Sequence, residues 1–143
     1  MIKLIHGDAL KSDVHVICHL TNVDEIIQGH GAGILGDGKH RSVEERCWRL
    51  CKKSGKELKG KVYCIYLDGE EKFLALFFAK ETKKGGHNEI NLNLLKNCFY
   101  ELQEMMNYKD CVFGFTEPNL QSDESDAETI IEYLRSNCQN QEQ

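Results

Sequence analysis

The stretch from Val14 to Leu20 constrains the fold more than any other part of the chain, because it is almost continuously apolar. A strand with one face in water alternates apolar and polar residues, whereas a strand covered on both faces is apolar nearly throughout. We therefore expect a sheet that is buried between two layers of helices.

Further runs have the β-branched and aromatic composition of strands. They are Ile2–Ile5, Lys61–Leu67, Lys72–Ala79 and Cys111–Phe115. The turn-forming sequence Asp68-Gly69-Glu70-Glu71 joins the second and third of these runs and predicts an antiparallel hairpin. The sheet is thus expected to be mixed.

Three helices are predicted between and after these strands. Two begin at capping boxes, Ser42–Glu45 and Ser125–Glu128, and the first of them should end near Gly55. The third, Leu92–Met106, has apolar positions that recur every three and four residues. The order ββαββαβα predicts a three-layer α/β/α fold in one domain, 1–138, followed by a frayed polar tail, 139–143.

Composition excludes several classes of protein. The 143 residues suit a single domain, and 41% apolar with 29% charged residues is an ordinary globular balance. The net charge of −5 leaves no basic stripe for duplex nucleic acid. The longest apolar run, Phe73–Ala79, is far shorter than the roughly 20 residues of a membrane span, so no membrane partner is expected.

The seven cysteines are odd in number and spread along the chain. This usage favours an intracellular, reducing compartment, such as the cytoplasm or nucleus. Cys47 and Cys51 have helical spacing but no CxxC pair beside them, so we expect buried apolar side chains rather than metal ligands. No metal or cofactor is expected.

The segment Gly29–Gly36 contains four glycines and lies between a buried strand and a helix. Glycines allow backbone N–H groups to converge on a phosphate. The spacing is that of neither a Walker A loop nor a Rossmann fingerprint. On its own, the segment is consistent with either a phosphate-binding loop or a flexible connector.

Several motifs in a fixed order resemble those of macrodomains, which bind ADP-ribose. They are Gly7-Asp8, His19-Leu20-Thr21-Asn22, Gly31-Ala32-Gly33-Ile34, Phe78-Ala79-Lys80 and the loop Lys83–His87. The resemblance covers about residues 1–106. It is greatest to the branch that contains ADP-ribose 1″-phosphate phosphatases and terminal ADP-ribose protein glycohydrolases. It implies ADP-ribose or an ADP-ribosylated protein as the partner of a chain that is a monomer by default.

The resemblance also implies roles for ligand-binding residues. Asp8 would accept a hydrogen bond from the adenine amino group, although an aspartate in this position can equally cap a turn. Asn22 would hold the distal ribose or, alternatively, cap a turn. Backbone donors to the diphosphate would come from Gly31, Ala32, Gly33 and Ile34.

The same resemblance implies catalytic roles for two further residues. His19 matches a phosphatase-like H-x-x-N pattern and would act as a general acid or base or orient the terminal phosphate; the alternative is a structural histidine. Lys80 matches the lysine that attacks the anomeric carbon in glycohydrolase-like members, a reaction that needs the neutral amine. Lys83 and Lys84 are alternatives, and all three lysines are also consistent with a solvated loop.

The carboxy-terminal third departs from the macrodomain pattern. No glycine follows Gly114, where a second glycine-rich loop is usual, and the usual last strand is absent. Asp123 is the nearest candidate for a catalytic acid, with helix capping as its alternative role. Three functions stay open: a hydrolase of terminal ADP-ribose derivatives, a non-catalytic reader of ADP-ribose or a nucleotide, and a degenerate macrodomain that acts as a protein-interaction module.

Overall fold

The structure is a computed structural model that describes residues 1–29, 40–106, 110–122 and 125–138. Its strands are β1 Ile2–Ile5, β2 Val16–Thr21, β3 Val62–Leu67, β4 Lys72–Phe78, β5 Lys80–Thr82, β6 Asn88–Ile90 and β7 Phe113–Thr116. Its α-helices are α1 Val23–Gly29, α2 Arg41–Ser54, α3 Leu92–Met105, α4 Glu117–Leu120 and α5 Ala127–Cys138. Two 3₁₀ turns, Ala9–Lys11 and Gly55–Leu58, precede β2 and β3.

The main sheet has the strand order β1-β7-β2-β4-β3. Strand β2 runs parallel to β4 along its whole length and parallel to β7 over Val16–Cys18. Strand β3 is antiparallel to β4, as the hairpin sequence predicts. The mixed sheet is therefore confirmed, while β5 and β6 form a separate two-stranded sheet.

Helices cover both faces of this sheet. One apolar cluster joins the sheet to α3 and α5, and within it the Phe99 ring packs edge-on against Phe113 at a centroid separation of 5.3 Å. The other cluster joins the sheet to α1 and α2, where Cys47 and Cys51 are buried as expected. This arrangement confirms the three-layer α/β/α fold, and none of the helices described is long and apolar enough to cross a membrane.

Helix starts differ from the predicted capping boxes. Helix α2 begins at Arg41 after His40, without a side-chain cap, so Ser42 lies inside the first turn. At α5, the residue that accepts the Thr129 amide at 2.9 Å is Asp126 rather than Ser125. Capping patterns thus located both helices to within two residues but misidentified the capping side chain.

Three short elements were not predicted at all: α1, the β5–β6 hairpin and α4. Each of these helices and strands spans seven residues or fewer, which is too little for a hydrophobic period to emerge from the sequence. Helix α5 is the last element that the structure describes, and the predicted tail, 139–143, lies outside the described residues.

Gly114 lies inside β7, next to Lys3 of β1 and Ile17 of β2. A Cβ atom on this residue would lie 2.5 Å from Ile5 Cδ1 and 2.6 Å from Val14 Cγ1. The glycine therefore serves sheet packing at this position.

We predict that Gly114→Ala lowers the free energy of unfolding by about 1–3 kcal/mol, because the added methyl group overpacks the sheet. Urea unfolding measures this change. In an Ile5→Val background the same substitution should cost less, since the closest atom, Ile5 Cδ1, is then absent. An equal cost in both backgrounds would show that the contact with Ile5 is not the cause.

Candidate active site

The carboxyl ends of β1, β7, β2 and β4 lie along one edge of the sheet, because these four strands are parallel. In open α/β sheets, ligands bind at such an edge where the chain connections diverge to opposite faces. Here the chain leaves β2 into α1 on one face, and it leaves β4 and β7 towards α3 and α5 on the other face. His19 and Asn22 lie at the end of β2, and Lys80 follows β4.

Lys80 is held in a small polar cluster by α1. Its side chain is 15% exposed, and Nζ lies 3.7 Å from Glu25 Oε1. The other carboxylate oxygen of Glu25 accepts a hydrogen bond from buried Thr21 Oγ1 at 3.0 Å. Lys83 and Lys84 are exposed on the turn between β5 and β6, so Lys80 is the lysine of this cluster.

Sequence reasoning missed Glu25 and Thr21 because it missed α1. Their spacing of four residues brings them together once a helix begins directly after β2. The available signal was Asn22 followed three residues later by a glutamate, the pattern of a helix start.

Asn22 makes hydrogen bonds through both polar atoms of its side chain. Oδ1 accepts from the Glu25 amide at 2.8 Å and so caps α1. Nδ2 donates to Asn88 Oδ1 at 2.6 Å and to Thr82 Oγ1 at 3.2 Å. The residue therefore performs the capping role and also ties the end of β2 to the β5–β6 hairpin, and a ribose hydroxyl would have to replace one of these bonds.

His19 lies on the face of β2 that α1 and α2 cover, since alternate residues of the strand share a face with Ile17. Burial, with a smaller contribution from the charge of Lys80, lowers the pKa of His19 from 6.5 to about 4. The imidazole is therefore neutral at pH 7. It can accept a proton, but it offers no positive charge to a phosphate.

The remaining predicted residues fall into two groups. Asp8 accepts the Leu10 amide at 3.0 Å and caps the first 3₁₀ turn, which leaves its Oδ2 without a hydrogen bond from the described residues. Gly31, Ala32, Gly33, Ile34 and Asp123 lie outside the described residues. The described part of the chain contains no cluster of three or more potential metal ligands.

Asn119 of α4 spans the gap between β2 and β7. Beyond Cys18 these strands no longer pair, and the Asn119 side chain takes over: its Oδ1 accepts the Leu20 amide at 2.7 Å, and its Nδ2 donates to the Leu20 carbonyl at 3.0 Å. The amide thus imitates a neighbouring strand. A short helix with an asparagine clamp therefore follows β7, where the sequence resemblance implies a second glycine-rich loop.

A cleft of about 890 Å³ opens beside the polar cluster of Lys80, Glu25 and Thr21. It is lined by residues from α1, the carboxyl end of α2, the second 3₁₀ turn, the end of β4 and all of β5. Asn22 and Lys80 both line it, and Phe78 contributes to its apolar surface. A volume in this range suits a nucleotide-sized ligand.

The low pKa of His19 predicts a specific pH dependence of stability. The unfolded histidine takes up a proton below pH 6.5, whereas the folded one does so only near pH 4. The free energy of unfolding should therefore decrease as the pH is lowered from 6.5 to about 4, by up to about 1.4 kcal/mol per pH unit from this group. Urea unfolding of the protein and of His19→Gln measures the difference, and an identical slope in both would contradict the buried, neutral imidazole.

Comparisons with known proteins identify the fold. No family model matches the chain, and no curated protein matches it. Among solved structures, the macrodomain of Mycobacterium tuberculosis DarG is 20% identical with a TM-score of 0.68, over 99% of this chain and 91% of that one. A macrodomain protein from Streptomyces coelicolor is 12% identical with a TM-score of 0.65, over 99% and 94%. A protein of unknown function from Bacteroides thetaiotaomicron is 18% identical with a TM-score of 0.67, over 99% and 93%. The chain therefore has the macrodomain fold.

Proposed function

We propose that the protein binds ADP-ribose and hydrolyses terminal ADP-ribose derivatives, with Lys80 as the nucleophile. The observation that carries this proposal is the position of Lys80, which is largely buried at the carboxyl end of β4, against Glu25 and in the wall of a nucleotide-sized cleft. The macrodomain fold and the ordered motifs of the sequence support ADP-ribose as the ligand. Asp8, Asn22 and the backbone of Gly31–Ile34 would bind it.

The proposed reaction begins when Lys80 gives up a proton, for which the Glu25 carboxylate is the nearest acceptor in the cluster. The free electron pair of Nζ then forms a bond to the anomeric carbon of the distal ribose. The bond from that carbon to the ester oxygen breaks, and the acceptor leaves as a carboxylate with the electron pair. Water later displaces the lysine and restores the amine.

The state of His19 favours an ADP-ribosyl ester of an acidic residue over ADP-ribose 1″-phosphate as the substrate. A dianionic terminal phosphate is bound most strongly by cationic donors, whereas a neutral imidazole offers one N–H and no positive charge. In the proposed reaction a neutral imidazole can accept a proton from water during release of the lysine, although a pKa near 4 makes it a weak base. Asp123 stays a candidate for a second acid in this step.

Lys80→Arg separates the nucleophile from the charge. Arginine keeps the positive charge but does not lose its proton, so turnover of an ADP-ribosylated glutamate peptide should fall at least about a hundredfold. ADP-ribose affinity should change little. Lys83→Arg, at an exposed position of the neighbouring turn, is the matched control and should retain turnover. Normal turnover in Lys80→Arg together with loss in His19→Ala would transfer the catalytic role to His19.

The Asn119 clamp favours a second candidate function, a reader that binds ADP-ribose without hydrolysing it. The clamp occupies the gap between β2 and β7, so a diphosphate would be bound from one side only. Calorimetric titration with ADP-ribose, ADP and AMP tests this candidate. Preference for ADP-ribose without turnover would identify a reader, whereas no heat with any of the three would exclude both functions and leave an interaction module.

A further inference from the structure

Within the part of the chain that the structure describes, the two-stranded sheet β5–β6 has an open edge. Its pairing is flanked by the hydrogen bonds Asn91 N to Ala79 O at 2.8 Å and Lys83 N to His87 O at 2.7 Å. Bonded and non-bonded pairs alternate in an antiparallel ladder, so these two bonds fix Glu81 as the residue of β5 that bonds to β6.

It follows that the backbone groups of Lys80 and Thr82 point away from β6. No other described residue makes a hydrogen bond to these amides or carbonyls. The three residues of β5 also line the cleft of about 890 Å³. An unpaired strand edge beside a cleft is a template for a further strand.

The lining of the cleft is positively charged. Five lysines outnumber three carboxylates: Lys52, Lys53, Lys56, Lys59 and Lys80 against Asp24, Glu57 and Glu81. Two of the lysines are already paired, Lys59 with Glu81 at 3.3 Å and Lys80 with Glu25 at 3.7 Å. Lys53 and Lys56 are exposed and have no ion-pair partner among the described residues. In a chain of net charge −5, this is a local site of the opposite sign.

The apolar part of the lining distinguishes between two kinds of polyanion. It is formed by Val23, Ile27, Cys51 and Phe78. The one aromatic ring in this set, Phe78, is 2% exposed and cannot serve as a platform for base stacking. A peptide with alternating acidic and apolar side chains matches an open strand edge, lysines and an apolar floor together, whereas a single-stranded nucleic acid matches the lysines alone.

We propose that the open edge of β5 takes up an extended acidic peptide as a third strand of the β5–β6 sheet. Main-chain hydrogen bonds to Lys80 and Thr82 hold the peptide, and its carboxylates lie against Lys53 and Lys56. The interaction requires neither ADP-ribose nor turnover, so it stands or falls separately from the proposed hydrolysis. Where the peptide carries an ADP-ribosylated acidic residue, it passes directly beside the Lys80 side chain.

Binding of a labelled peptide of alternating glutamate and valine, measured by fluorescence anisotropy, tests the proposal. The peptide should bind, and a lysine–valine peptide of equal length should not. Of two isomers N-methylated on alternate residues, one should bind as the parent does and the other should not, because only every second amide of an added strand faces β5. Equal binding of both isomers would overturn strand addition, and binding of an oligothymidylate in preference to the glutamate peptide would indicate a nucleic-acid site instead.

Charge reversal at the cleft supplies an independent readout. Lys53→Glu combined with Lys56→Glu should lower the affinity for the glutamate–valine peptide about tenfold. The matched control, Lys11→Glu combined with Arg41→Glu, makes the same charge change at exposed positions that do not line the cleft, and it should leave the affinity within about twofold. Equal weakening in both variants would show that only overall charge matters. Thermal unfolding confirms that both variants are folded.

Discussion

The position of β2 between two parallel partners is the constraint on which the rest of the molecule depends. This strand pairs with β4 over six residues and with β7 over three, and its side chains enter both apolar clusters. Such a strand must be apolar on both faces, which is why a histidine near its end is so strongly affected by burial. His19 and Asn22 lie in or directly after β2, Glu25 accepts a hydrogen bond from Thr21 of the same strand, and Lys80 is ion-paired with Glu25.

The polar groups around the end of β2 form one connected network. Asn22 caps α1 and binds the β5–β6 hairpin, α1 carries Glu25, and Glu25 contacts Lys80. On the other side, Asn119 replaces the missing backbone partner of Leu20. The orientation of the Lys80 side chain thus depends on the start of α1 and not on strand β5 alone. A substitution of Asn22 should therefore also alter the position of Lys80, because the first turn of α1 contacts both residues.

The sequence predicts the architecture better than the site. The long apolar runs and the apolar repeat of α3 are recognisable even where single residues are ambiguous. The sheet, its hairpin and the two helical layers follow from them. Lys80 is a candidate because of the resemblance to glycohydrolase-like macrodomains, in which the lysine follows an apolar strand. Glu25 and Asn119 are not predicted, because each contacts a residue that is distant in the sequence. They also lie on α1 and α4, which are too short to show a hydrophobic period. The packing role of Gly114 against Ile5 and Val14 also carries no signal in the sequence, because it depends on contacts between strands.

The strand order also bears on how the molecule assembles as it is synthesised. Strand β1 pairs with β7 alone in the main sheet, and β7 stands between β1 and β2 although almost the whole chain separates it from β1. Strand β1 leaves the ribosome long before β7, so its backbone stays without this partner until β7 has emerged. Contacts of such long sequence separation slow folding. Until β7 inserts, the main sheet can comprise only β2, β4 and β3, and the edge of β2 that β7 later covers has no partner strand. An unpaired edge of this kind favours aggregation and binding by chaperones.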